Sequence, residues 1–284
     1  RLDAVDALKE NLSQRKQLQE LLHGMYDIER LCSKIVYGSV NARDCVALIQ
    51  TIQRVPIIKE TLRTSESEAL AAISRELDEM DDVLNLLLSA ITEEPPATLK
   101  DGGFIRAGYN AEVDELRNIA ENSQSWLENF EQTQREITKI KSLRVSYNRV
   151  FGYYIEVTKS YLAQVPYDYE RKQTLANAER FITPELKEME QKILGAKDRL
   201  VILENELFCG IREALVACTG RLQSNGALIA ELDCYLSLAE VAANYQYCRP
   251  NWNQQGRIKI TGGRHPVIER AMKGVPVELI EFRA

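Results

Sequence analysis

The chain has 284 residues and a formal net charge of −6, with 45% hydrophobic and 27% charged residues but only 14 Gly and 8 Pro. This length can bury a real core, in one large domain or two smaller ones, and the low Gly and Pro content excludes a loop-rich or disordered chain. No apolar run approaches the ~20 residues that a transmembrane helix needs, and the acidic balance excludes nonspecific nucleic-acid binding by the surface as a whole.

The first residues, RLDAVDALKENL, form a helix pattern and not a signal peptide, and without an initiator Met the chain reads as part of a longer protein. Leu2, Val5, Leu8, Leu12, Leu18, Leu21 and Leu22 recur at helical spacing and predict one helix over about the first 22 residues, broken at Gly24. Ile28, Leu31, Cys32, Ile35 and Val36 mark a second helix that ends near Gly38. Asn41 caps a third that stops before Pro56. Ser65 with Glu68 has capping-box form and opens a helix reaching about Ile91. These apolar stripes read as core.

Glu93 to Gly108 breaks the pattern with Pro-Pro and Asp-Gly-Gly, and Phe104 to Arg106 is a candidate short strand. Asn110 to Lys141 then predicts a long helix of ~45 Å. From Leu143 to Leu186 the composition changes to Tyr, Val, Ile and Thr. Leu143, Val145 and Tyr147 alternate with polar residues, as do Tyr153, Ile155 and Val157 after Gly152, which is a β-hairpin signature. Arg171 to Thr183 accommodates one or two more strands, and Pro184 opens a second long helix running to about Leu222. The two long helices must run antiparallel in a compact protein, as an arm with a β tip. Ser224-Asn225-Gly226 reads as a turn, Ala227 to Tyr245 as a helix, Arg257 to Ile260 as a strand, and His265 as a turn residue packed at a domain junction. The fold class is mainly α: a helical core and a long antiparallel helical arm, with a small antiparallel sheet inserted at its tip.

Charge singles out the same stretch. Between Lys139 and Arg180 eight basic residues face four acids in an otherwise acidic chain, which points to a local anionic partner. Arg171, Lys172, Thr174, Asn177 and Arg180 are the candidate phosphate contacts, and Arg149 and Lys159 extend the patch. Guanidinium and ammonium groups meet phosphate oxygens, while Thr and Asn add neutral hydrogen bonds that carry no sequence information. Strand alternation must turn some of these side chains inward, and the register stays open at this stage. Tyr153, Tyr154, Tyr161, Tyr167 and Tyr169 read mostly as packing beneath the sheet and not as stacking platforms. The six cysteines are scattered without a C-x-x-C pair and read as reduced, buried thiols of a cytoplasmic protein. His23 and His265 lack ligand spacing, so no metal site is expected.

NRVFGYYIEVTKS followed by YERKQTLANAERFITPELKEMEQKIL resembles the clamp region of the MutS family of DNA mismatch-repair proteins. RLDAVDAL, MYDIERLCSKIVYGSVNARD, DGGFIRAGYNAEVDELR, ELDCYLSLAEVA and GGRHPVIE extend the resemblance over nearly the whole chain. The resemblance implies a core and lever region over residues 1–141 and 186–250, a clamp over 142–185, and the start of an ATPase domain over 251–284. It further implies nonspecific gripping of double-stranded DNA, coupled to an ATPase in a full-length homodimer that meets downstream mismatch-repair proteins. ATP and Mg²⁺ belong to that full-length protein. No G-x-x-x-x-G-K-[ST] occurs here, nor any Phe-x-Glu of the kind that reads mismatches in the family, so this part of the protein is expected to be no enzyme and to hold no cofactor. The alternative is an arm with a structural or interaction role in a MutS paralogue acting in recombination. Residues 272–284 follow the family only loosely.

Overall fold

In the computed structural model, which describes residues 1–148, 150 and 152–271, the first apolar stripe is split in two. Helix α1 (Leu2–Glu10) ends at Asn11, whose side chain accepts from the Gln14 N–H and opens α2 (Leu12–His23). The single helix expected there fails because an Asn side chain offers the backbone a cap that competes with continued helix. Asp27 caps α3 (Ile28–Val36), and a reciprocal capping box between Asn41 and Asp44 opens α4 (Ala42–Ile52). Pro56 begins structure as well as ending it. It lies in the first turn of α5 (Val55–Arg63), where a missing N–H loses no helical bond. The span from Ser65 to Ile91 is also two helices, α6 (Glu68–Glu76) and α7 (Asp81–Ala90), parted by a segment in which Met80 is left-handed at φ 52°. Ser67, not Ser65, precedes α6. Of the strand expected at Phe104 to Arg106, one isolated bridge between Ile105 and Ile91 forms.

Asn110 caps α8 (Ala111–Thr138), whose 28 residues rise about 42 Å. The chain then forms β1 (Arg144–Asn148), β2 (Gly152–Thr158), β3 (Glu170–Thr174) and β4 (Ala178–Ile182), an antiparallel sheet in the order β1-β2-β4-β3. Thr183 caps α9 (Pro184–Ala217), whose 34 residues rise about 51 Å back along α8. Glu112 meets Arg199 and Arg117 meets Glu204 at one end of the pair, while Leu127 and Phe130 cluster with Leu186 at the other. The arm predicted from the two long periodic segments is therefore present.

The Ser224-Asn225-Gly226 turn is not. These residues lie inside α10 (Thr219–Asn244), and the chain turns at Cys218. Asn225 is buried, accepting from the Asp78 N–H at 2.9 Å and donating to the Asp78 carbonyl at 2.7 Å. A Cβ on Gly226 would stand 3.4 Å from Ile28. Turn-forming residue types here serve close helix packing. Arg257 to Ile260 forms no strand: Ile258 and Ile260 are exposed and meet no partner strand among the described residues. His265 is exposed, and its Nδ1 accepts from the Ile268 N–H at 3.4 Å in α11 (Pro266–Ala271). Cys32 and Cys45 are buried as expected, but Cys209, Cys234 and Cys248 are exposed.

Three apolar clusters hold this arrangement. One joins α3, α4 and α7 to the roots of α8 and α9, with Phe104 edge-on to Phe208 at 5.5 Å. A second joins α1, α2, α5 and α6 to α10. The third, at the far end of the arm, packs Ile155, Val157 and Phe181 of the sheet on Leu127, Phe130 and Leu186. The protein is thus mainly α, with a small antiparallel sheet that has its own core.

Candidate nucleic-acid interface

Strand register sorts the tip residues by face, because directly opposed residues share a face. Val145, Ile155, Phe181 and, at the edge strand, Arg171 form an inward row, while Arg144, Glu156, Arg180 and Gln173 form an outward row across all four strands. Arg180 is held within that row. Its Nε lies 3.1 Å from Glu156, its Nη1 donates to Gln173 at 2.9 Å, and its guanidinium lies 4.2 Å from the centroid of the Tyr154 ring. Only 18% of its side chain is exposed.

The other candidates are freer. The β3–β4 register slips between Arg171 and Gln173, leaving Lys172 at a bulge on an edge strand, exposed and without a side-chain partner among the described residues. Arg171 is 62% exposed and lies 2.9 Å from the buried Glu179 carboxylate, off the line that a hydrogen bond needs. Lys159 follows β2, and its N–H donates to the Asn177 carbonyl at 3.0 Å, so that Lys159, Thr174 and Asn177 come together, all exposed, where β3 turns into β4. Val150, in the β1–β2 turn, lies at the other end of β2, roughly 20 Å away at strand rise. Arg149 lies outside the described residues. Arg144 is exposed on the outer face and, among the described residues, has no side-chain partner. Its position opposite Glu156, legible once the hairpin register is known, is the signal that would have added it to the candidates.

The tip is stiffened from below. Tyr169 is buried, donates to Gln134 of α8 at 2.6 Å, and has its phenol pushed up to about 12 by burial and then by Asp168, so it stays neutral. Gly152 is left-handed at φ 77°, and a Cβ there would fall 1.8 Å from the Glu190 carboxylate of α9. Glu190 accepts from the Tyr153 N–H at 3.3 Å, tying the hairpin to the arm. Tyr153 and Tyr169 pack beneath the sheet as expected, but Tyr154 is buried on the outer face under the Arg180 guanidinium, Tyr167 is fully exposed and Tyr161 sits at the surface.

At the root of the arm, Glu204 is wholly buried. Its carboxylate accepts from the Gly103 N–H at 2.6 Å and from Arg117 at 3.1 Å, and Arg117 also donates to the Ile105 carbonyl at 2.9 Å. Nothing in the hydropathy pattern marks this site, because a Glu at a helical core position looks like any surface Glu. Between root and tip, α8 carries seven acids against two arginines. Among the described residues no group of three His, Cys, Asp or Glu gathers as a metal set, and no helix is long and apolar enough to cross a membrane.

Fold and site together define the class: a helical base, a long two-helix arm, and a small antiparallel sheet at its tip that carries exposed cations. Residues 108–199, which take in α8, the sheet and the first part of α9, match the model of MutS family domain IV. The chain is 50% identical over 270 residues to the DNA mismatch repair protein MutS of Caldicellulosiruptor bescii, covering 95% of this chain and 31% of the relative. It is 48% identical, with the same coverage, to that of Ruminiclostridium cellulolyticum, and 47% identical over 273 residues to that of Symbiobacterium thermophilum. The chain belongs to the MutS family. It spans about a third of the length of the curated relatives it matches.

Proposed function

We propose that this chain acts in DNA mismatch repair as the lever and clamp of a MutS protein, its sheet gripping duplex DNA through the phosphate backbone. The observation that carries the reading is the bulge that frees Lys172 on the edge strand, beside the Lys159–Asn177 corner. Lys159, Arg171 and Lys172 supply charge, Thr174 and Asn177 supply neutral hydrogen bonds, and Arg149 and Arg144 extend the grip along the hairpin. Arg180 serves beneath them, holding Glu156 and Gln173 in line. The acidic shaft of α8 supports this division, since it repels phosphate and confines contact to the tip.

Residues 1–141 and 186–250 act as core and lever, 142–185 as clamp, and 251–284 as the threshold of an ATPase domain. In the full-length homodimer the arm couples clamp closure to that ATPase, and downstream repair proteins read the closed state. These residues contain no phosphate-binding loop, so in this reading ATP and Mg²⁺ belong to the rest of the full-length protein, and the part played by this chain is binding and mechanical coupling.

Anisotropy titration of the protein with matched and mismatched duplexes tests the reading. Equal affinity for both is expected. The three cations without a side-chain partner among the described residues, Lys159, Lys172 and Arg144, alone give a log–log salt slope of about −2.7, or roughly 40-fold weaker binding at 200 than at 50 mM salt. Salt-independent binding, or none at 50 mM, contradicts the clamp and favours an interaction arm of the kind a recombination paralogue would use.

A further inference from the structure

On the base of the molecule, far from the sheet, an open groove of about 900 Å³ runs between the α2–α3 connection and α10. Its wall and floor include Leu22, Met25, Ile28, Ile229 and Leu236, apolar side chains of the two core clusters. Gly226 lets α10 approach Ile28 closely enough to form that floor. Every formally charged side chain lining the groove is acidic: Glu20, Asp27, Glu29, Asp233 and Glu240. Among the described residues none of the five meets a Lys or Arg; Glu240 accepts only from Gln19, and Asp27 only caps α3. The chain's other acidic residues are often paired, as Asp78 and Asp82 are with Arg221 and as Asp3 and Asp6 are with Arg249. Tyr26, half exposed, stands at the rim.

We propose that this groove binds a basic peptide segment of a partner protein, a helix or extended run whose apolar anchors enter the floor and whose Lys and Arg side chains meet the acidic rim. Five like charges repel DNA and repel the same face of a second copy, so neither occupant fits. A cationic amphipathic segment satisfies both halves of the surface: burial of its anchors drives affinity, and the rim sets orientation and rejects acidic competitors. Met25 suits such a floor, because its unbranched thioether adapts to different anchor shapes. Tyr26 offers a ring face to an arriving guanidinium. The groove lies apart from the DNA-gripping sheet, so its occupation and the grip are separable.

The test uses the whole polypeptide that carries these residues. The probe is a fluorescein-labelled 14-residue amphipathic peptide of Leu and Lys, with a Lys/Ser peptide of equal charge as control. The Leu/Lys peptide should bind at least tenfold more tightly than the Lys/Ser control. Glu29→Gln with Asp233→Asn should weaken that binding at least tenfold. Glu10→Gln with Glu66→Gln, which removes as much charge from a separate acidic surface, should leave it within twofold. Equal losses in the two double variants would mean that the peptide reads only overall charge and would overturn the proposal. So would the absence of binding by the whole polypeptide when residues 1–284 alone bind, because the groove would then be filled by another part of the same chain.

Discussion

At the root of the arm the Glu204 carboxylate is sealed from solvent and fixed by Gly103 and Arg117, whereas at the tip Lys159 and Lys172 stand in water with no partner among the described residues. The two places lie on one rigid helical pair, with Glu204 and Pro184 some 30 Å apart along α9 at helical rise. Charge does opposite jobs there. At the root it is spent internally and fixes where the arm leaves the base; at the tip it is left over and available to an anionic partner. Two of the three arginines of the sheet stand between these extremes, Arg180 bound into its row and Arg171 set against the Glu179 carboxylate.

Substitutions can break that contrast, beginning where the effect is greatest. Arg117→Leu leaves Glu204 buried without its cation and should cost about 3 kcal/mol of stability, as single-partner removals from buried pairs do, read from the midpoint of denaturant unfolding. A loss below 0.5 kcal/mol, the ordinary surface value, would mean that the root is not sealed. Gly152→Ala forces a side chain into a left-handed site already filled by Glu190. It should cost about 2 kcal/mol and loosen the hairpin, seen as faster amide exchange in β1 and β2 than in the core helices.

Arg221→Met probes the intermediate case of partly exposed pairing. Hydrogen bonds from Arg221 hold the Asp78 and Asp82 carboxyls below the ordinary carboxylate range. A depressed folded-state pKa contributes stability that is present above the unfolded value, about 4, and is lost as pH falls through the folded value. The variant should therefore unfold at a lower midpoint near neutrality, by less than Arg117→Leu, and lose less further stability below pH 4 than the parent. Lys159→Ala with Lys172→Ala should change stability least of all, within about 0.5 kcal/mol, despite removing two charges.

The arm and sheet were legible because their signals are local and periodic. Asn110 and Thr183 cap the long helices, the alternation around Gly152 marks the hairpin, and Pro184 fixes the exit. The base was harder to read. Asn11 breaks the first helix with a cap that apolar spacing hides, Pro56 opens a helix from its first turn, and Met80 parts α6 from α7 without a Gly. Asn225 and Gly226 look like a turn but are tertiary contacts of α10 with Asp78 and Ile28. At the tip, composition named the cations, but only the bulge and register separate the exposed Lys172 from the engaged Arg180. Arg257 to Ile260 has strand composition and no strand, because a strand exists only where a second one pairs with it.

The contrast between free and engaged charge is tested most directly by the salt slope of duplex binding in three proteins: the parent, Lys159→Ala with Lys172→Ala, and Arg180→Gln. The account predicts that the lysine pair reduces the slope by about 1.8, close to 0.9 per lost phosphate contact, while Arg180→Gln leaves it nearly unchanged and lowers the stability of the sheet. If Arg180→Gln reduced the slope by as much per residue as the lysines do, with the sheet as stable as before, Arg180 would be a phosphate contact and the division between free and engaged charge at the tip would be wrong.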